Sequence, residues 1–235
     1  MNLDNSSPGV SIITCTNRPL YIEAVFGNYL RQNYSPKELI VVLNRNDMQL
    51  AKWQDYARNI PGVTILRKDE TVSLGDCSNY AVEHASFDYV AKFDDDDYYA
   101  PNFLADEMKG FEYSQADIIG KSTRFIYFAD QTILGLCEPS SQYTYVTYVV
   151  GSTMIIKKEI FDTVKFRSVN IGEDSDFQRE CLEKGLKIFS VDKFNYATIR
   201  HHKTNPHTYP LSDEDYLSYC STIWKTSDYQ SIVIR

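Results

Sequence analysis

The sequence predicts an α/β fold: a mostly parallel central sheet with helices on both faces, and a small antiparallel sheet in the C-terminal half. Two observations predict it. Over roughly the first 120 residues, short apolar runs alternate with segments of helical period, the pattern of strands joined by crossover helices. Leu39 to Leu43 is an unbroken apolar run, as expected of a parallel strand covered on both faces.

Val10 to Thr14 is the first predicted strand. Pro19 then opens a helix that carries Ile22, Val25, Phe26, Tyr29 and Leu30 on one side. Asn33-Tyr34-Ser35-Pro36 breaks this helix ahead of the second strand. Met48 to Asn59 reads as helix, and Pro61-Gly62 turns the chain into a third strand, Val63 to Leu66. Asp76 to Ser86 reads as helix and Tyr89 to Phe93 as the fourth strand. Pro101 begins another helix with Phe103, Leu104, Met108 and Phe111 on one side, and Ile118-Ile119 starts a further short strand. Beyond it, Phe125 to Phe128, Ile133 to Leu136, Tyr143 to Val150 and Thr153 to Ile156 read as strands, mostly antiparallel. A helix follows Gly172, with Phe177, Cys181 and Leu182 inward and Gly185 at its end. With no repeat and no linker, the expectation is a single domain over 1–235, a nucleotide-binding half over about 8–120 and an acceptor half over about 121–212.

The chain has 235 residues, 43% of them hydrophobic, enough for a sizeable core. A net charge of -8 argues against nucleic acid as a partner, because such binders need a basic face. No apolar run approaches the ~20 residues of a transmembrane segment. The five scattered cysteines form no CxxC pair and the first residues show no signal core, so a reducing, cytoplasmic location is expected without a disulfide framework. Tyr143, Tyr145 and Tyr148 alternate as in half-buried sheet, or as an aromatic platform for a sugar.

Asp94-Asp95-Asp96-Asp97 stands where the fourth strand ends. Neighbouring carboxylates repel by roughly 3 kcal/mol at ~5 Å and an effective dielectric near 20, so something must offset them. Open α/β sheets present their ligand sites at the carboxyl ends of strands, where this run lies. A solvated acidic turn is one reading. A calcium loop fails, because Tyr98, Tyr99 and Ala105 stand where it needs an acid, a glycine and a glutamate. An aspartyl phosphatase wants Thr or Val where Tyr98 stands, and an earlier strand. A D-x-D pair that holds Mg2+ or Mn2+ against a diphosphate is the third reading.

Four blocks in order carry a resemblance: VSIITCTNRP, ELIVVLN, LGDCSNYAVEHASFDYVAKFDDDDYYAPNFL and GEDSDFQREC. Over Val10 to Tyr209 the chain resembles the GT-A fold glycosyltransferases, specifically the inverting family 2. The resemblance implies a metal-dependent hexosyl-type transferase with a nucleotide-diphosphate-sugar donor and a hydroxyl acceptor. It places Asp96 on the metal, Asp94 on the metal shell or donor ribose, Asp95 beside the nucleotide, and Thr14, Thr16 and Arg18 in the base and phosphate loop. It makes Asp174 the general base, with Glu173 adjoining the acceptor, and His207 a metal ligand, with His202 as the second choice. Asp97 is expected to be structural, capping the following turn. Two departures stand out: Leu43-Asn44 replaces the acidic pair that reads the base, and Ser78 replaces an arginine near the diphosphate. Asn44 is then the expected base contact, Lys92 the offset to the acidic turn, and Arg179 a support for the helix or the carboxylates. Rival readings are a non-catalytic nucleotide-sugar or glycan-binding module on the same fold, and a metal phosphohydrolase.

Overall fold

The computed structural model describes residues 7–138, 140–201 and 212–235. In chain order the strands and helices are β1 (Val10–Thr16), α1 (Ile22–Leu30), β2 (Lys37–Leu43), α2 (Leu50–Ala57), β3 (Val63–Arg67), α3 (Leu74–Glu83) and β4 (Tyr89–Lys92). There follow β5 (Tyr98–Tyr99), α4 (Phe103–Tyr113), β6 (Ile118–Gly120), β7 (Arg124–Phe128), β8 (Ile133–Cys137), β9 (Thr144–Val146) and β10 (Ile155–Lys157). The chain closes with α5 (Glu173–Glu183), β11 (Ile188–Ser190), β12 (Tyr196–Arg200), α6 (Asp213–Ser218), β13 (Cys220–Lys225) and α7 (Gln230–Val233).

The main sheet runs β3-β2-β1-β4-β10-β6-β11-β9. β3, β2, β1 and β4 are parallel. Successive side chains of a strand point to opposite faces, and the apolar run of β2 supplies both: Leu39, Val41 and Leu43 join α1, α2 and α4 in one core, while Ile40 and Val42 join α3 and α5 in the other. The two-sided apolar strand is thus the physical basis of the layered fold. The second sheet runs β13-β8-β7-β12-β5, antiparallel except for β7 with β12.

β10 inserts between β4 and β6, antiparallel to both. Three expectations need correction. The Tyr143 to Val150 strand shrinks to Thr144–Val146 at the sheet edge: Tyr143 has a positive φ of 52°, and the pairing with β11 ends at Val146. A 3-10 turn over Gly151–Thr153 delays the next strand from Thr153 to Ile155. Finally, α3 begins at Leu74 rather than Asp76, because Ser73 caps it: Ser73 Oγ accepts from Asp76 N (3.1 Å) and donates to the Asp76 carboxylate (2.7 Å). Among the described residues no helix is long and apolar enough to cross a membrane.

Candidate active site

β4 ends at Lys92 in the centre of the main sheet, so the four aspartates enter the cleft at its carboxyl edge. Asp95 and Asp96 share Arg18, while Asp94 and Asp97 have partners of their own. Asp94 Oδ1 accepts from Lys92 Nζ at 2.8 Å. Asp95 accepts from Thr16 Oγ1 at 2.5 Å and pairs with Arg18 at 3.1 Å. Asp96 Oδ2 lies 2.5 Å from Arg18 Nη1. Asp97 accepts from the Tyr196 hydroxyl at 2.5 Å and from Ile199 N at 3.1 Å. The solvated-turn reading fails, since Asp95 and Asp97 are only 3% and 8% exposed. Asp97 is structural, as expected, but it ties the turn to β12 rather than capping the residues after it.

The backbone of the turn is held as firmly. Asp94 N donates to Tyr99 Oη, and Tyr99 in turn donates to Ser152 O, each at 2.8 Å. Phe93 and Tyr99 stack at 3.7 Å, and Asn28 of α1 donates to Asp97 O. Burial pushes the Asp97 and Asp95 carboxyls up, and neighbouring Asp96 adds to both shifts. Burial alone would lower Arg18 and Lys92. For Arg18 the carboxylates of Asp95 and Asp96 outweigh it, for Lys92 those of Asp94, Glu173 and Asp174, so both cations are held above their ordinary range. The shifts of Arg18 and Asp95 oppose each other across one contact. The guanidinium is the member that stays ionised, and of the two aspartates Asp96 lies closer to it.

Across the cleft, α5 starts from Gly172, whose φ of 81° is a left-handed conformation suited to glycine. Glu173 is buried with Oε1 3.8 Å from Lys92 Nζ, and burial raises its pKa. Asp174 Oδ1 accepts from Ser175 N at 2.7 Å. Its other oxygen lies over Gly151, where a Cβ would come within 1.9 Å of Oδ2, so the absence of a side chain at 151 makes room for the carboxylate. Tyr148 stands nearby, its phenol pushed up to about 12 by burial and then by Asp174. Arg179 reaches neither aspartate of the cleft; it pairs with Asp176 and Glu183 on its own helix.

Two cavities of about 650 Å³ adjoin here. The first contains Arg124, Glu138, Tyr148 and Ser175 in its wall, and the second Thr16, Asn44, Arg45 and Glu70. Arg18, Asp94, Gly172 and Asp174 line both. Thr14 is buried in β1 and lines neither. Ser78 is buried against Leu74 O and Cys15, so no charge sits at that position. Asn44 Nδ2 donates to Asp69 O, and Glu70 accepts from Asn46 N, so the loop after β3 brings an acid to the place where β2 has none. Sequence reasoning missed Glu70, Arg45 and Arg124, whereas Tyr148 was offered there as part of an aromatic platform for a sugar.

Asp94 and Asp96 present hard carboxylate oxygens from one turn, the donor chemistry that Mg2+ and Mn2+ take, and Arg18 and Lys92 beside them show that the turn accommodates positive charge. Among the described residues no group of three or more His, Cys, Asp or Glu is placed to hold a metal. Asp94 lines both cavities and Asp96 the first, and each is engaged by a protein cation. His207 and His202 lie outside the described residues.

A central α/β sheet with a D-x-D turn at its carboxyl edge, facing an acid-bearing helix across a cleft, has the layout of a GT-A transferase. The profile of "Glycosyl transferase family 2" matches residues 11–164. The chain belongs to glycosyl transferase family 2. An uncharacterized glycosyltransferase of Methanocaldococcus jannaschii is 23% identical over 202 residues, which cover 80% of this chain and 69% of that protein. Among solved structures, S. aureus TarS 1-349 in complex with UDP-GlcNAc superposes with a TM-score of 0.68 at 17% identity, over 89% of this chain and 63% of that one. A structure of S. aureus TarS gives 0.64 at 19% identity, over 82% of this chain and 37% of that one. The chain is thus a family member of GT-A fold, and it spans less than two thirds of the TarS chains it matches.

Proposed function

We propose that the protein is an inverting, metal-assisted glycosyltransferase that moves a sugar from a nucleotide-diphosphate donor to a hydroxyl acceptor. The observation that carries this reading is the meeting of two cavities at Asp94 and Asp174. A direct displacement needs donor and acceptor side by side, a base behind the acceptor oxygen and charge compensation at the leaving group. The cavity at Thr16, Asn44 and Glu70 takes the nucleotide; the cavity at Tyr148 and Arg124 takes the acceptor. TarS has been crystallised with UDP and UDP-GlcNAc, so uridine donors are the first to try. The whole chain acts as one catalytic domain in the cytoplasm, its nucleotide half over about 8–120 and its acceptor half over about 121–212.

Asp174 takes the proton of the acceptor hydroxyl as that oxygen attacks the anomeric carbon, and a single displacement inverts the configuration. Glu173 and Lys92 hold the start of α5 against the acidic turn, which fixes Asp174 relative to Asp94. Arg18 keeps Asp95 and Asp96 in place and brings a guanidinium to the diphosphate side. Asp94 and Asp96 would hold Mg2+ or Mn2+, with His207 the further ligand that the family resemblance implies, and the cation would supply Lewis-acid stabilisation of the leaving diphosphate.

The test is a thermal-shift panel of nucleotide diphosphates and their sugars with Mn2+ or with chelator. Ligand at ~100 times its dissociation constant stabilises by about 2.7 kcal/mol, a shift of several degrees for a chain of this size. A shift that needs the metal is expected. Equal shifts in chelator would remove the metal from the reading, and no shift with any nucleotide would remove the donor.

A further inference from the structure

Cys137 ends β8 and Cys220 begins β13, and the antiparallel register sets them opposite each other. Opposed residues of such a pair have Cα atoms ~4.5–5.5 Å apart, inside the ~4.4–6.8 Å range that a disulfide spans. Two local features turn the side chains together. The register shifts between Cys220 and Thr222, a bulge of the kind that re-aims a side chain. Gly135, on β8, leaves the space that Cys220 fills: a Cβ at 135 would lie 2.5 Å from Cys220 Sγ. The two Sγ atoms are 2.6 Å apart.

We propose that Cys137 and Cys220, free thiols in this structure, are a site of reversible disulfide formation that clips β13 to β8 at the rim of the acceptor-side cavity. Cys137 lines that cavity, as does Tyr216 of α6, the helix just before β13. The clip therefore joins two parts of one wall. It closes a separation of 83 residues that includes Asp174. The inference rests on strand geometry and stands whether or not the donor and metal assignments hold.

The two thiols differ in access. Cys220 is part-exposed, whereas Cys137 is buried. The Cys137 thiol, as hydrogen-bond partner, lowers the Cys220 pKa, and Arg124 acts in the same direction. Cys220 is thus the entry point and Cys137 the resolving group. The oxidant is a low-molecular-weight disulfide, RSSR. Cys220 thiolate attacks one of its sulfurs, forms the mixed disulfide and expels RS⁻, which takes up the proton Cys220 lost. Cys137 then gives up its proton, attacks Cys220 Sγ and releases the second RSH. Two protein thiols lose two electrons and two protons, and RSSR becomes two RSH.

The experiment equilibrates the whole chain in buffers of increasing oxidised-to-reduced glutathione ratio, quenches in acid, alkylates with N-ethylmaleimide and reads intact and peptide masses. Two of the five thiols should be lost together, in a peptide that joins Cys137 to Cys220. The melting temperature should rise by roughly 5–10 °C, as expected for a long closed loop. Cys220→Ser should keep every remaining thiol reactive, Cys137→Ser should stop at a glutathione adduct on Cys220, and neither should form the bridge or show the wild-type rise in melting temperature. In the wild type, five reactive thiols at the highest ratio, a glutathione adduct that stays open at Cys220, or a bridge between other cysteines would each overturn the proposal. The wild-type mass reading decides the matter even where a variant folds poorly.

Discussion

In the proposed reaction, Arg18 serves the donor side and Asp174 the acceptor side. Arg18 bridges Asp95 and Asp96, touching both carboxylates at once. Removing one partner of a buried ion pair costs about 3–5 kcal/mol, and partial exposure of Arg18 reduces this to roughly 1–3 kcal/mol. Arg18→Ala should lower the melting temperature accordingly, and millimolar Mn2+ should restore part of the loss by supplying positive charge to the same carboxylates. Scans with Mn2+ and with chelator check both halves, and a variant indifferent to Mn2+ would count against the D-x-D metal site. Asp174→Asn keeps shape but loses proton affinity. Transfer, or slow donor hydrolysis where no acceptor is known, should fall by about 10²–10⁴-fold with donor affinity unchanged by calorimetry. Wild-type turnover in that variant would exclude Asp174 as the base. On the side proposed for the nucleotide, Glu70 lines the same cavity as Asn44 and accepts from Asn46 N. Glu70→Gln should therefore change the ranking of uridine, guanosine and thymidine diphosphates in calorimetry more than it changes the affinity for diphosphate alone.

Between elements, the legible part of the fold was the part with strong periodicity. Leu39 to Leu43 announces a strand covered on both faces, and the helix with Ile22, Val25 and Phe26 announces its inward side, because burial on a repeating lattice writes itself into the sequence. The position of β10 was illegible. Its insertion between β4 and β6 depends on where a long excursion through the second sheet returns, and three residues carry no period. The candidate site divides in the same way. The Asp run and Glu173-Asp174 stood out as charge against an apolar background, whereas the pairing of Arg18 with Asp95 and Asp96 and the approach of Glu70 are long-range contacts without a local signature. Gly151 is the sharpest case, since a glycine before a strand reads as ordinary turn chemistry. In the structure it seats Asp174, with a Cβ position 1.9 Å from Oδ2. Gly151→Ala should displace the start of α5, and a misplacement of about 1 Å is worth ~10²-fold in rate. The expected outcome is a loss of that size in transfer with nucleotide binding intact. An equal loss in both would mean that the cleft as a whole had collapsed.

At the scale of the molecule, one buried charge cluster makes stability depend on pH away from the cleft. Glu107 of α4, Lys121 after β6 and Asp192 after β11 meet beneath the main sheet, with Glu107 and Lys121 fully buried. Lys121 Nζ stands 3.0 Å from Glu107 Oε1 but directs a hydrogen bond to Asp192 O at 2.8 Å, and neither Glu107 oxygen accepts a well-directed hydrogen bond among the described residues. The contact is therefore an ion pair without the geometry of a donated bond. Burial dominates, and it pushes the Glu107 carboxyl up to about 7 despite Lys121. Between the ordinary carboxylate value and about 7 the folded state holds a proton that the unfolded chain has released. Stability falls as pH rises through that window and levels off above it, because there the charged carboxylate is fully desolvated in the fold. A tenfold change in proton affinity corresponds to about 1.4 kcal/mol, so the share of Glu107 is on the order of 3 kcal/mol. Glu107→Gln holds the neutral shape at every pH. Its absolute stability can drop through the loss of a partner for Lys121, but its dependence on pH should flatten: melting temperatures at pH 5, 6, 7 and 8 should decline less steeply than in the wild type. Parallel curves for the two proteins would show that Glu107 keeps its charge when folded and that Lys121 compensates its burial in full.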